Sequence, residues 1–491
     1  MVRRQYVAFA VLLAASTAVA APNRRVTVDV PAAEGSHAEP AHVIVLERCR
    51  GGCMLPKSTT NNAQGLQSTI PQGAGPFVIG EFANSMGVVG APADAEWAQV
   101  LTCVQEVYSD FDIMVTDTKP TNSTYHLAVV AGLPSQAGLG NDILGIAPLA
   151  GDCSPQDNVM SFSFANAHPS GGRVANLCWT VAQESAHAFG LDHEFQFKDG
   201  TSTCSDPMTY RMDCGGQRFF RNKKAQCGEF AARACKCGAS QNSYAQLMGI
   251  FGPGVTRVPA PSSKIVFPLP GLVNFTVVQA MAGSQRGIDR IEVLLNNNIW
   301  TSLKGLPFGP AGQMNPGNYT LTMPSTVPKS ILDIVVRAYD DVGVFTDSPV
   351  VTVTNGAPCT SADGCAQYQK CEAGKCFWDP PTGETGDHCD YTQFCVSNNC
   401  VETSDGKYCT EACDLDEGAP ACPNGLSCVE SSPGNGLCLP EGDGGCCSIG
   451  GDRQNPAPFA GLALLVAACI MRRRTRFAVV SSASRKRDES C

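Results

Sequence analysis

Gln183, Glu184, His187 and His193 are the residues of this chain whose types and spacing suggest chemistry first. On a helix, residues four apart share one face, so side chains at 183 and 187 can point at one metal ion while Glu184 reaches a water bound to it. Gly190 lets the chain leave the helix sharply. His193 can then swing back to complete a three-ligand site with its fourth position open. An open position is what hydrolytic catalysis requires: a metal-polarised water, its pKa brought down towards about 7, attacks a carbonyl while a carboxylate shuttles the proton.

The full run is Gln183-Glu184-Ser185-Ala186-His187-Ala188-Phe189-Gly190-Leu191-Asp192-His193, followed by Ser205-Asp206-Pro207-Met208-Thr209-Tyr210. It resembles the metzincin zinc metalloproteases, whose pattern is H-E-x-x-H-x-x-G-x-x-H and then a Met-turn. Every defining position matches except Gln183, which stands where the family has its first zinc-binding histidine. The resemblance covers about residues 41–252. It implies zinc as cofactor, His187 and His193 as ligands with Gln183 in the remaining ligand position, and Glu184 as general base. Met208 would be the apolar floor, and Tyr210 would touch the metal or steady the oxyanion. It also makes the stretch Val159 to Phe164 the edge strand that pairs with extended substrate. A neutral amide oxygen is a poorer zinc donor than an imidazole nitrogen and cannot be oriented by a second N–H···carboxylate bond. Three outcomes stay open: Gln183 ligates weakly and the enzyme is slow or uses another metal, His168 from the preceding loop substitutes, or the site binds without cutting.

These residues need a strand and a helix to position them. Asn158 to Phe164 alternates apolar and polar residues, and Ala175 to Phe189 holds apolar positions at helical spacing before Gly190. Upstream, His42 to Leu46 and His126 to Val130 read as strands and Ala95 to Leu101 as helix, so residues 41–252 are expected to form an α+β, metzincin-like catalytic-type domain. From 259 to 355 cysteines vanish and short β-branched runs take over, among them Arg290 to Leu295, Tyr319 to Thr322 and Asp333 to Tyr339. That pattern predicts a β-sandwich resembling the immunoglobulin-like modules of bacterial surface proteins. The fold class expected is therefore multidomain, with these two domains followed by a small disulfide-rich segment at 356–440 and a C-terminal transmembrane helix.

The 26 cysteines point to an oxidising compartment. Ten lie between Cys49 and Cys237, Cys178 among them, and twelve between Cys359 and Cys438, so both sets can close internally. Runs such as Cys371 to Cys376 and Cys395 to Cys400 read as a twofold repeat of a small knotted unit rather than as zinc clusters. A formal charge of −10, with much of the positive charge at the termini, excludes a basic face for nucleic acid.

Both ends carry addresses. Arg3 and Arg4, an apolar stretch from Tyr6 to Ala15 and Ala18-Val19-Ala20 lay out a cleavable export signal at 1–20. Residues 444–476 place Cys446 and Cys447 among glycines, then an apolar segment from Pro456 to Met471, then Arg472 to Arg476. This arrangement resembles the MYXO-CTERM sorting tag of myxobacterial surface proteins, which implies a processing protease as partner and a tether at the cell surface or outer membrane; a plain transmembrane anchor is the alternative. Between Ala21 and Ala41 there is little room for a folded inhibitory propeptide and no cysteine to block a zinc. The function expected is a cell-surface zinc metalloendopeptidase acting on extracellular protein or peptide. The alternative is a catalytically inactive adhesin or peptide-binding surface protein of the same descent.

Overall fold

The computed structural model describes residues 24–30, 40–213, 216–305 and 316–413, and beyond these 415, 422–423, 425–432 and 435–440. The chain divides into two compact units, one up to Glu411 and one from Ala412. The signal at 1–20, the apolar segment at 456–471 and the tag cysteines Cys446 and Cys447 lie outside the described residues.

The architecture corrects the expected fold class. Instead of an α+β first domain and a C-terminal transmembrane helix, strands dominate: twenty-five strands in eight mostly small sheets stand against three α-helices among the described residues. No helix among them is long and apolar enough to cross a membrane. The physical reason lies in segment length. Apolar runs outside the three helices are short, rich in β-branched residues and closed by Gly, Pro and Asn turns, which favours strands over helices of three or more turns.

The largest sheet carries the candidate site. Its strands are β1 (Arg24–Val30), β2 (Val43–Glu47), β5 (Met114–Thr116), β6 (His126–Val130), β7 (Ile143–Ala150) and β8 (Met160–Ser163), in the order β1-β7-β8-β6-β2-β5. Strand β7 runs antiparallel to β8, and β1 lies parallel to β7 on the outside. The stretch expected to be the edge, Val159 to Phe164, supplies β8, which is interior and wholly buried. The free edge of β7 is instead taken by the N-terminal strand. A separate hairpin joins β3 (Cys53–Leu55) to β4 (Phe77–Ile79).

Helix α1 (Asp94–Val107) opens with Asp94 and Glu96, acidic side chains that suit the positive helix N-terminus, and buries Trp97, Val100, Val104 and Val107 along one stripe. Helix α2 (Arg173–Ala188) is different: every residue from Thr180 to Ala188 is buried. The Cys103–Cys178 bridge ties the two helices across 75 residues, a loop whose closure removes about 4 kcal/mol of unfolded-state entropy. Helix α2 stops at Gly190, whose φ of 91° and close approach to the Cys153 carbonyl, 2.0 Å from where a Cβ would stand, both demand glycine. The chain then forms β9 (Glu194–Phe197), paired with β10 (Ala225–Cys227), and ends the region in α3 (Ser243–Phe251).

The described residues between 262 and 355 form two antiparallel sheets, the β-sandwich expected from the sequence. One holds β11 (Ser262–Phe267), β12 (Val277–Gly283) and β15 (Gly317–Thr322). The other holds β13 (Arg290–Leu295), β14 (Asn298–Lys304), β16 (Ser330–Tyr339), β17 (Phe345–Asp347) and β18 (Val351–Asn355). Their shared core includes Val278, Ile291, Val293, Ile334 and Val336. Beyond it, the cysteines from 359 to 438 pair first with third and second with fourth in three successive groups: Cys359–Cys371 with Cys365–Cys376, Cys389–Cys400 with Cys395–Cys409, and Cys413–Cys428 with Cys422–Cys438. The repeat is threefold, not twofold, because loops of different length between the cysteines disguise the last copy.

Candidate metal centre

His187 and His193 meet at Nε2. His187 Nδ1 lies 2.6 Å from the Leu191 carbonyl oxygen, which can only accept, so the ring proton is on Nδ1 and Nε2 keeps its lone pair. His193 Nδ1 lies 3.0 Å from Glu229 Oε1. The hydrogen bond from His193, aided by Arg233, holds the Glu229 carboxyl well below the usual carboxylate range, so this proton too is on Nδ1. The two Nε2 atoms then face each other at 3.0 Å with the rings near perpendicular. At that separation the two nitrogens share either a proton, as an N–H···N hydrogen bond with His193 as imidazolium beside Glu229, or a metal ion. A tetrahedral zinc, with Zn–N of about 2.0–2.1 Å, holds two ligand nitrogens roughly 3.4 Å apart, so small ring movements admit one. Burial lowers the His187 pKa to about 3, which keeps it a neutral ligand.

The support behind His193 was not singled out in the sequence. Arg233 donates to Glu229 Oε1 at 2.7 Å and to Asp192 Oδ2 at 2.6 Å, and Asp192 Oδ1 accepts from the His193 amide at 2.7 Å. Asp192, His193 and Glu229 lie close enough to hold a cation themselves. Arg233 already pairs with both carboxylates, so they serve to aim the imidazole. The signal that could have exposed Glu229 is its place in the short loop closed by Cys227–Cys235, which fixes it opposite His193.

Glu184 is fully buried, and neither carboxylate oxygen has a hydrogen-bond partner. Burial drives its pKa well above the usual range, against the pull of Arg25. It packs on bare backbone: a Cβ on Gly145 of β7 would stand 2.4 Å from Glu184 Oε1, so glycine at 145 is what leaves room for the carboxyl group. Met208 is fully buried, and its amide donates to Asp206 Oδ1 at 2.8 Å. Tyr210 stands edge-on to His193 with ring centres 4.9 Å apart. Burial pushes its hydroxyl above the ordinary range, so it stays protonated.

Gln183, in the expected third ligand position, is turned to another partner. Its Oε1 accepts from Arg25 Nη1 at 3.4 Å, and its buried Nε2 has none. His168 lines a cavity of about 330 Å³ together with Arg25, Leu144, Tyr210, Met212 and Phe230, and both its ring nitrogens are unpartnered. Burial and the Arg25 and Arg173 charges bring its pKa down to about 3. The structure thus brings His187 and His193 together, sets Tyr210 beside them, and leaves Gln183 engaged by Arg25.

The remaining cysteine clusters offer no metal site among the described residues, since the groups at Cys359, Cys389 and Cys413 are disulfide-bonded.

No family model matches the chain, and no curated protein matches it. Among solved structures it is similar to the fibronectin(III)-like modules of Clostridium thermocellum CbhA, at 15% identity over 19% of this chain and 96% of that one, with a TM-score of 0.15.

Proposed function

We propose that residues 183–210 form a zinc-dependent peptide hydrolase centre. The observation that carries this reading is the pair of buried histidines whose Nε2 atoms face each other at 3.0 Å, each oriented by an acceptor behind it. A bound zinc would supply Lewis acidity and lower the pKa of a coordinated water to about 7. Glu184, which burial keeps protonated, would ionise beside the charge of a bound zinc and then take a proton from the attacking water and return it to the leaving amine. Tyr210, kept protonated, donates to the developing oxyanion. Gln183 Oε1 is the remaining donor, once its bond to Arg25 is given up.

The substrate would be an extracellular protein or peptide. Ten disulfides among the described residues support an exported protein in an oxidising compartment. Surface tethering by 444–476, in the manner of the MYXO-CTERM tag, is part of the same proposal. A second reading, a peptide-binding protein that does not cut, is favoured by one observation: Gln183 faces Arg25, and an amide is a weak ligand.

Zinc content and hydrolysis of an unfolded protein substrate separate the two. The full chain is expected to hold zinc that His187→Ala and His193→Ala lose. Hydrolysis is expected to fall by about 10²–10⁴ in Glu184→Gln with zinc retained. Zinc bound in the full chain without hydrolysis that depends on Glu184 would select the binding reading.

A further inference from the structure

The sandwich meets the first domain, within the same compact unit, through buried charge. The turn between β12 and β13 carries Arg286, and the turn after β16 carries Asp341; both side chains are almost wholly buried. Arg286 holds Asp341 with two nitrogens, Nε to Oδ1 at 2.8 Å and Nη2 to Oδ2 at 3.2 Å. The rest of its guanidinium reaches into the first domain. Nη1 donates to Asp110 Oδ2 at 2.8 Å, just beyond α1, and Nη2 also donates to the Phe220 carbonyl at 2.7 Å. The group stands over the rings of Phe219 and Tyr244, 5.1 and 5.7 Å from their centres. In return, Arg221 of the first domain donates to the Arg286 carbonyl and, at 3.3 Å, to Asp341 Oδ1. Two buried arginines thus pair with two aspartates across the border.

What these contacts reach is the floor of the candidate centre. The Arg221 amide donates to Asp206 Oδ2 at 2.7 Å, and the other oxygen of Asp206 accepts the Met208 amide. On the carbonyl of Ser205, next to Asp206, the Phe219 amide converges at 3.1 Å and Arg221 Nε at 3.2 Å. A second line runs to helix α2. The Phe220 ring packs on Tyr108 with centres 5.1 Å apart, and the Tyr108 hydroxyl donates to the Ala182 carbonyl at 3.0 Å, one residue before Gln183. Two residues therefore separate Arg286 from the Met208 amide, and two separate it from the helix that carries Gln183, Glu184 and His187.

We infer that the sandwich is a working part of the centre, with Arg286 as a positioning residue: through Arg221 and Phe220 it holds the Met208 turn and helix α2 in the geometry that brings His187 and His193 together. This rests on the reading of residues 183–210 as a metal centre for what the geometry serves, though not for the coupling itself. Apolar packing alone lets two surfaces slide, whereas a planar guanidinium whose donors are spread over Asp341, Asp110 and the Phe220 carbonyl admits one register. Loss of Arg286 takes the shared cation from Asp110 and Asp341 and releases the segment 219–222, so the turn under the histidines loosens.

The test uses the full chain, free of metal, with amide hydrogen exchange read by mass spectrometry on peptides covering 205–210 and 219–222. In Arg286→Met, exchange of the Met208 and Arg221 amides is expected to quicken about tenfold. Zinc affinity in a competition titration is expected to fall about tenfold. Asp341→Asn keeps a side-chain carbonyl oxygen and is expected to move both readouts the same way by less; it carries the test if Arg286→Met does not fold. Ile334→Ala weakens the sandwich core without touching these contacts and is expected to alter neither readout. Faster exchange confined to the turns at 284–289 and 340–344 overturns the positioning role, and so does an Ile334→Ala variant that matches Arg286→Met in both readouts. Faster exchange at Met208 in a chain that holds no zinc upholds the coupling and sinks the metal reading instead. Zinc affinity and Glu184-dependent hydrolysis that are the same in the parent, Arg286→Met and Asp341→Asn overturn the role of Arg286 and leave the hydrolase standing.

Discussion

Helix α2 and strand β16 both run through the interior of the chain, and they use burial in opposite ways. Strand β16 alternates strictly, sending Leu332, Ile334, Val336 and Ala338 into the sandwich core and the residues between them outwards. Helix α2 buries Gln183, Glu184, Ser185 and His187 on the same turns as Val181, Ala182 and Ala186. Ser185 is satisfied, bonding Tyr108 at 2.7 Å and the Val181 carbonyl, but Gln183 Nε2 and both Glu184 oxygens are not. Buried apolar atoms stabilise a fold, whereas buried polar atoms without partners cost 1–3 kcal/mol each and persist where function requires them. The difference marks β16 as scaffold and α2 as site.

The largest effect should come from the scaffold side. Ile334→Ala removes a fully buried branched side chain and is expected to cost about 2–5 kcal/mol in urea unfolding of the sandwich while leaving zinc affinity unchanged. Equal damage to zinc binding would erase the distinction. Glu184→Leu should do the reverse. Replacing an unpartnered buried carboxyl by an apolar group of similar volume is expected to stabilise the chain by about 1–3 kcal/mol in thermal or chemical unfolding while abolishing hydrolysis. A destabilised variant would mean that Glu184 has a structural partner after all.

How much of this was legible follows the same division. Strand β13 was readable to the residue from its short run of branched apolar side chains, and β16 nearly so because a two-sided strand writes its burial into alternation. Helix α2 was readable from its apolar spacing and Gly190, and the meeting of His187 with His193 from their spacing. What lay beyond reach was long-range. Arg25 is 158 residues from Gln183, and although Val26, Val28 and Val30 alternate as a strand's residues do, nothing in the run Arg24 to Val30 says that it adds to β7. Glu229 and Arg233 likewise become partners of His193 and Asp192 only through a disulfide loop. The α+β expectation failed for a related reason: α1 and α2 were read as helices and α3 was not read at all, while the short runs between them close into many small sheets, and local periodicity does not report how many sheets they make.

Behind the histidines, the contrast can be sharpened at Glu229. It is a partly exposed residue that would rank as surface by burial alone, yet it aims His193. Glu229→Ala is expected to lower zinc affinity about 10–100-fold in a competition titration, with little change in unfolding. Unaltered affinity would reduce the Asp192–Arg233–Glu229 network to an ordinary surface cluster.

The smallest effect is a pH dependence that belongs to the scaffold. Asp340, in the turn after β16, is 3% exposed, and its Oδ1 accepts from the amides of Val342 at 3.1 Å and Val344 at 2.9 Å. Burial, with the charge of Asp341 next to it, pushes Asp340 up to about 6. Asp341 itself is held down to about 2, since Arg286 and Arg221 pair with it and outweigh its burial. An unfolded aspartate gives up its proton near pH 3.9. Between about pH 4 and pH 6 the folded chain therefore binds more protons at 340 than the unfolded chain does, and stability falls as pH rises through that window. Asp340→Asn keeps the oxygen that both amides use and removes the titration. Thermal unfolding from pH 4 to pH 7 should show the parent losing stability relative to this variant up to about pH 6 and running parallel to it above. Curves parallel throughout would mean that the two amide bonds already hold Asp340 ionised, and the buried carboxyl of the scaffold would then differ from Glu184 in charge as well as in partners.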